Sequence, residues 1–342
     1  MSIASEDDIL SLVSRFFPAD HPSLLLGRGD DCAVLRRSGP LAVTTDVFAE
    51  DAHFRRRYFT PFDIGFKAVA VNVSDVGASG AKPSGLSIGL TLTGNEDEAW
   101  LSGFCEGMKA LCDEFSLALS GGDLARSALL NICVTAWGEL PESLPRGLRR
   151  GAAREGDVIF LVGEAGLARL GLTLLEQASD AEEIAAVKSA WPHACASHLR
   201  PRPLAREGMA VARFALERGV EDRIGLMDVS DGLARDLPRL LASRRSGLGA
   251  EITLHNDDIP PEVRRHAEKN GLSAAAFAFE GGEDYALAGT CPEKLWPALA
   301  RELSAPCLAI GQARRGTITL NGSRPASSGF DHFSHQKEAP AS

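Results

Sequence analysis

The sequence predicts an α/β protein of two domains, and three observations carry that prediction. Helix-period and strand-period runs alternate along most of the 342 residues, a length that accommodates two ordinary cores. A segment rich in Pro, Gly and Arg between Glu139 and Gly156 separates one series of runs from the next, dividing residues 1–140 from 150–335. Strand-like runs also lead repeatedly into a carboxylate-bearing turn, mostly beside glycine: Gly29-Asp30-Asp31, Thr44-Thr45-Asp46, Gly121-Gly122-Asp123, Asp228-Val229-Ser230-Asp231-Gly232 and Gly281-Gly282-Glu283-Asp284-Tyr285.

Taken in order, residues 5–17 read as an amphipathic helix, with Ile9, Leu12, Val13, Phe16 and Phe17 on one face and Pro18 beyond its end. Short strands follow at Cys32 to Leu35 and Leu41 to Thr45, then an irregular polar segment holding His53 and Arg55 to Arg57. Asp63 suits the N-cap of a helix from Ile64 to about Ala78, whose apolar stripe is Phe66, Val69, Ala70, Val73 and Val76. Lys67 and Asp75 are two turns apart on that helix, so both can project toward one site. A strand from Leu86 to Leu92, a helix from Glu96 to Glu114, a strand ending at Ser120 and another from Leu129 to Trp137 complete about four strands. The second half opens on the strand Val158 to Val162. Helices are expected near 166–178, 182–190 and 203–218. The strand Ile224 to Met227, a helix Leu233 to Ser243, strands at Ala250 to Leu254, Tyr285 to Thr290 and Cys307 to Ile310, and helices from Pro261 and Pro292 then follow.

Composition removes several classes of function. A net charge of −10 opposes a broad nucleic-acid or anionic-membrane footprint, so any phosphate is bound locally, with metal ions. No run of about 18 apolar residues spans a bilayer. The stretch Met1 to Asp8 carries acids where a signal peptide carries bases, which leads to the expectation of a cytoplasmic protein. Seven cysteines, scattered and never in a C-x-x-C pair, suggest neither a disulfide framework nor a zinc site.

The chemistry lies in the acids. A dinucleotide fingerprint, a P-loop and the protein-kinase motifs are all incomplete or absent. An Asp beside Gly is ordinarily a turn former. That reading weakens for the set, because Asp75 lies within a helix and Asp228 directly follows an apolar run. Asp30, Asp46, Asp75, Asp123, Asp228 and Asp231 together would supply hard oxygen ligands for several divalent cations holding a polyanion, the arrangement phosphoryl transfer requires. His53 and Arg150 are weaker candidates for phosphate contacts, and Arg55 to Arg57 read as a solvated face.

Laid out in order, Gly27-Arg-Gly-Asp-Asp-Cys-Ala33, Thr44-Thr-Asp46 with His53-Phe54, Asp63 to Asp75, Gly121-Gly-Asp123, Arg150 to Asp157, Asp228 to Leu233, Gly281 to Tyr285 and Gly329-Phe-Asp-His-Phe333 resemble thiamine-monophosphate kinases. That family's superfamily includes aminoimidazole ribonucleotide synthetase and selenophosphate synthetase. The resemblance runs over nearly the whole chain. It implies an aminoimidazole ribonucleotide synthetase-like fold whose N-terminal sheets pair in a homodimer, with a C-terminal α/β domain completing the site. It implies ATP-dependent, direct in-line phosphorylation of thiamine monophosphate to thiamine diphosphate with several Mg²⁺ ions, the last step of thiamine diphosphate biosynthesis. By motif, Asp30, Thr44, Thr45, Asp46, Asp75, Asp123, Asp228 and Asp231 match metal ligands. Gly122, Asp123, Arg150 and Ser230 match ATP contacts, and His53, Glu283 and Phe330 match substrate contacts. No residue is implied as an acid or base. Arg28, Cys32 and Ala286 depart from the usual family pattern. Two rivals stand beside this reading: another ATP-using member of the superfamily, and a Mg²⁺-nucleotide sensor without turnover. A selenophosphate synthetase would carry a reactive N-terminal cysteine, whereas the first cysteine here is Cys32.

Overall fold

The computed structural model describes residues 5–29, 31–242, 247–327 and 329. Asp30 and Phe330, implied above as a metal and a substrate residue, lie outside the described residues.

Helix α1 (Glu6–Phe16) starts at a reciprocal Ser5–Asp8 capping box, and its buried Leu12 joins the first core. A short antiparallel pair follows, β1 (Leu24–Leu26) with β2 (Val34–Leu35). The main N-terminal sheet is built from β3 (Leu41–Ala49), then after α2 (Pro61–Ala78) from β4 (Lys82–Leu92), and after α3 (Glu98–Phe115) from β5 (Ala118–Arg126) and β6 (Asn131–Glu139). Its order is β3-β6-β4-β5. Only β4 and β5 are parallel, and α3 supplies the long crossover that a parallel pair needs. Ile132, Val134 and Ala136 alternate inward against the helices. The opposite face is uncovered: Val43 is 63% and Val47 56% exposed, with Thr45 exposed between them.

Two sequence expectations change here. Thr60, not Asp63, caps α2, and Asp63 sits three residues in, closing a capping box from inside the first turn. Gly121-Gly122-Asp123 is no turn, because β5 runs straight through it in register with Ser87-Ile88-Gly89. Gly122 is required there by close approach, since a Cβ would stand 1.9 Å from the Ile88 carbonyl oxygen. Likewise β3 continues past Asp46 to Ala49.

The C-terminal half comprises β7 (Val158–Val162), α4 (Leu167–Gln177), α5 (Ala181–Ala190), α6 (Pro192–Leu199), α7 (Ala205–Glu217), β8 (Gly225–Asp228), α8 (Leu233–Leu241), β9 (Leu248–Ile252), α9 (Pro261–Lys269), α10 (Ala274–Glu280), β10 (Leu287–Cys291), α11 (Trp296–Ala300), β11 (Cys307–Arg315) and β12 (Thr319–Leu320). Its sheet order is β12-β9-β11-β7-β10-β8, antiparallel except between β12 and β9. Strand β7 is buried on both faces. Ile159 and Leu161 face a core shared with α8, α9 and α10, while Val158, Phe160 and Val162 face one shared with α7 and α11. The Pro/Gly/Arg-rich connection is held down rather than loose: Leu144 and Leu148 enter that second core, and the Leu148 N–H bonds to the Ser79 carbonyl.

Helix α2 ties the halves together. Fifteen of its eighteen residues are buried. Gly65 lies against the Phe104 carbonyl of α3, and Gly77 against Ala205 of α7, where a Cβ would come within 2.4 Å of the Ala205 Cα. Gly208 on α7 meets the Gly77 carbonyl in the same crossing. Among the described residues no helix is long and apolar enough to cross a membrane.

Candidate active site

A cavity of about 750 Å³ opens between the two sheets, and elements from both halves wall it. Asp46 comes from β3, Asp75 from α2, Asp228 from the end of β8, Ser230 and Asp231 from the turn before α8, and Glu283 from the loop before β10. His53 and Arg55 enter from the segment after β3, and Arg169 and Glu176 from α4.

The two-residue period of β3 points Thr44, Asp46 and Phe48 toward the helices and Thr45 the other way. Thr44 Oγ1 donates to Asp75 Oδ2 at 2.6 Å, and the neighbouring Ser74 Oγ donates to Asp228 Oδ2 at 3.0 Å. One turn of α2 therefore positions carboxylates from both halves. Their charges are poorly compensated. Burial, then Asp75, raises Asp46 to about 6. Burial raises Asp228 well above the usual carboxylate range, with Asp75, Asp236 and Asp46 adding to it and Ser74 opposing. Such crowding of carboxylates disfavours their charged forms and makes the cluster attractive to a cation.

The Ser230-Asp231 turn is held by a residue that sequence reasoning missed. Asp236, fully buried on α8, accepts the N–H groups of Ser230 (3.1 Å) and Asp231 (2.9 Å). Asp231 itself receives Arg239 Nη1 at 2.6 Å. The facing loop is pinned by backbone bonds from Glu283 N to Ser230 O and from Tyr285 N to Val229 O. Glu283 and Tyr285 occupy left-handed conformations, φ 63° and 50°, a strain that the surrounding bonds maintain. Asp284 turns away from the cavity and accepts the Gly166 and Ala168 N–H groups at the start of α4.

Beneath Glu283 lies a buried ionic group. Lys67 Nζ, with no solvent exposure, stands 3.1 Å from Glu283 Oε1, donates to the His198 carbonyl at 2.8 Å, and lies 5.5 Å from the Phe59 ring centroid. His198 Nδ1 is 2.9 Å from Glu283 Oε2 but out of line for a ring N–H bond. Burial alone would raise Glu283; Lys67 outweighs it and holds this carboxyl well below its usual range. Burial, reinforced by Lys67, lowers His198, so its ring is neutral at pH 7. Lys67 thus lies under the cavity wall instead of projecting into the cavity beside Asp75. His53 Nδ1 accepts the Ala49 N–H at 3.1 Å, which places the neutral ring's proton on Nε2.

Of the expected site residues, Asp46, Asp75, Asp228, Ser230, Asp231, His53 and Glu283 meet in this one cavity, and Thr44 supports it through Asp75. Thr45, Gly122, Asp123 and Arg150 are not brought to it. Thr45 bonds to Thr135 on the uncovered sheet face, and the register Val47–Cys133–Gly89–Asp123 puts Asp123 on that face too. Arg150 is exposed in the connection. Among the described residues no three His, Cys, Asp or Glu side chains converge tightly enough to cage a single ion. The donors nevertheless fit Mg²⁺, which is ordinarily held by one or two carboxylates together with water and substrate phosphate.

The profile of the family described as AIR synthase related protein, N-terminal domain, matches residues 29–140. Among solved structures, a thiamine-monophosphate kinase from Stenotrophomonas maltophilia is 31% identical with a TM-score of 0.76, over 93% of this chain and 96% of that one. AaThiL, from Aquifex aeolicus, in complex with AMPPCP and TMP, is 28% identical with a TM-score of 0.69, over 96% and 97%. The thiamine-monophosphate kinase of Escherichia coli K12 is 34% identical over 97% of its own length. With that identity extending across 94% of its residues, the chain belongs to the thiamine-monophosphate kinase family.

Proposed function

We propose that the protein transfers the γ-phosphoryl group of ATP to the phosphate of thiamine monophosphate, forming thiamine diphosphate and ADP. The observation that carries this reading is the meeting of Asp46, Asp75 and Asp228, from three elements and both halves, as crowded carboxylates in one cavity. Asp46, Asp75 and Asp228 would hold Mg²⁺ there, with Thr44 and Ser74 orienting them and Asp231 beside them, and Asp30 joins the proposed set. Bound Mg²⁺ would neutralise phosphate charge and align donor and acceptor oxygens.

The remaining work falls to the chain's own groups. Asp236 holds the Ser230-Asp231 turn by taking both of its N–H groups, which leaves the Ser230 hydroxyl to face the nucleotide in this reading. His53 and Glu283 border the acceptor, with Phe330 offering a ring face to the cationic heterocycle. A phosphate acceptor is already ionised near neutral pH, so no general base is needed. Residues 1–140 and 150–335 act as two domains closing on this cleft. The uncovered face of β3 supports a homodimer, in which Thr45 and Asp123 come to lie at the pairing surface with Arg150 and Gly122 as nucleotide contacts.

The test is product formation from purified protein, ATP, Mg²⁺ and thiamine monophosphate, with thiamine and an aminoimidazole ribonucleotide precursor as alternatives. Equal amounts of thiamine diphosphate and ADP are expected from thiamine monophosphate alone. ATP binding with neither product would replace this reading with the sensor.

A further inference from the structure

The three successive arginines after His53 have different surroundings. Arg56 is committed, with Nε 2.7 Å from Glu50 and Nη2 2.5 Å from Glu96. Arg57 is committed too: Nη2 is 2.8 Å from Glu176 Oε2, and the guanidinium stacks on the Tyr58 ring. Arg55 alone of the three lines the cavity. Its two partners are distant, Glu176 Oε1 at 3.4 Å and the Phe54 carbonyl at 3.4 Å. The same Glu176 oxygen already takes the Tyr58 hydroxyl at 2.7 Å. Arg169, near the start of α4, lines the cavity as well. Its guanidinium is anchored on one side, with Nη1 donating to the Phe277 carbonyl (2.9 Å) and Cζ 4.4 Å from the Phe277 ring centroid, while its nearest carboxylate, Glu280, is 3.7 Å away.

The charge of the cavity gives these two guanidinium groups their meaning. Among the described lining residues, seven are carboxylates and only Arg55 and Arg169 are guanidinium cations. A dianionic monoester entering such a wall is repelled except where a cation meets it. An acceptor phosphate needs donors on the oxygens that do not attack, and a planar guanidinium supplies two parallel N–H bonds in that geometry. Both side chains are about one-third exposed, each with donor capacity left over from its present contacts.

We propose that Arg55 and Arg169 form the anion subsite that binds the phosphate of a phosphomonoester acceptor, and thereby distinguish that acceptor from the corresponding free alcohol. This inference rests on the function proposed above and adds the specificity-determining residues. The parent protein, Arg55→Ala, Arg169→Gln and the two lysine variants would be compared for KM toward thiamine monophosphate, KM toward ATP and kcat. Calorimetric binding of thiamine monophosphate and of thiamine would be measured in parallel. A charged hydrogen-bonded pair is expected to be worth about 10- to 100-fold in KM for thiamine monophosphate. The expected pattern is that loss for each neutral variant, partial recovery in the lysine variants, thiamine binding unchanged and KM for ATP within about threefold. KM for thiamine monophosphate within about threefold of the parent in both neutral variants, or equal weakening toward thiamine, overturns the subsite. Absence of turnover in the parent overturns the kinase reading instead. A variant whose thermal unfolding shifts markedly is judged by its binding ratio for the two ligands, which a general loss of packing does not change selectively.

Discussion

At the scale of single residues, Lys67 carries the clearest consequence. Its ammonium is fully buried and its charge partner is Glu283, which is three-quarters buried, so removing one member leaves the other uncompensated. Lys67→Met is expected to lower stability by about 3–5 kcal/mol, and Lys67→Met combined with Glu283→Gln to recover part of that, as read by urea denaturation. Asp46 sets a pH dependence. Its folded pKa of about 6 lies above the unfolded value, so its proton is held more tightly in the folded, metal-free protein and must leave before a cation binds. Apparent Mg²⁺ affinity is therefore expected to hold above about pH 6 and to weaken below it, by up to about tenfold per pH unit. A Mg²⁺ titration that is flat across that window would contradict the assignment. Asp46, Asp228 and Asp231 were legible because each follows a strand-like run, and Asp75 because it interrupts an apolar helix; Glu176 and Glu280 were not, since an acid on a helix surface carries no such signal. Lys67 with the His198 carbonyl was not, because 131 positions of chain separate the two and neither shows a local signal of the other.

At the scale of elements, the α2–α7 crossing depends on two residues without side chains. A Cβ on Gly208 would stand 2.0 Å from the Gly77 carbonyl oxygen, so the backbones must separate to admit it. Gly208→Ala is expected to cost about 1–3 kcal/mol or more through that separation, despite alanine's better helix propensity, and thermal unfolding measures it. Long amphipathic runs such as Glu98–Phe115 were readable from their period. Helix α6 and helix α10 were not: α6 has eight residues, and Ala274–Glu280 has seven and alternates small and large residues as a strand does. The glycine pair in β5 read as a turn because glycine punctuates turns more often than it permits close strand packing.

At the scale of the whole molecule, the two-sheet plan was legible from alternating periods, whereas the order of the C-terminal strands was not, since strand order depends on pairings far apart in sequence. The bare face of β3 belongs to this scale. Val43 and Val47 are stranded in solvent on an otherwise well-packed sheet, which favours covering by a second copy. Val43→Asp with Val47→Asp is expected to shift the protein toward monomer in sedimentation velocity, without lowering the monomer's helical content. Helix α2 has no such outward side, and this shapes how the gene can vary. A saturation scan should show α3 tolerating change on every third or fourth residue. Over residues 63–78, hemmed in by both sheets and two helices, intolerance should run nearly unbroken, so this segment should accept new alleles least and drift slowest among lineages.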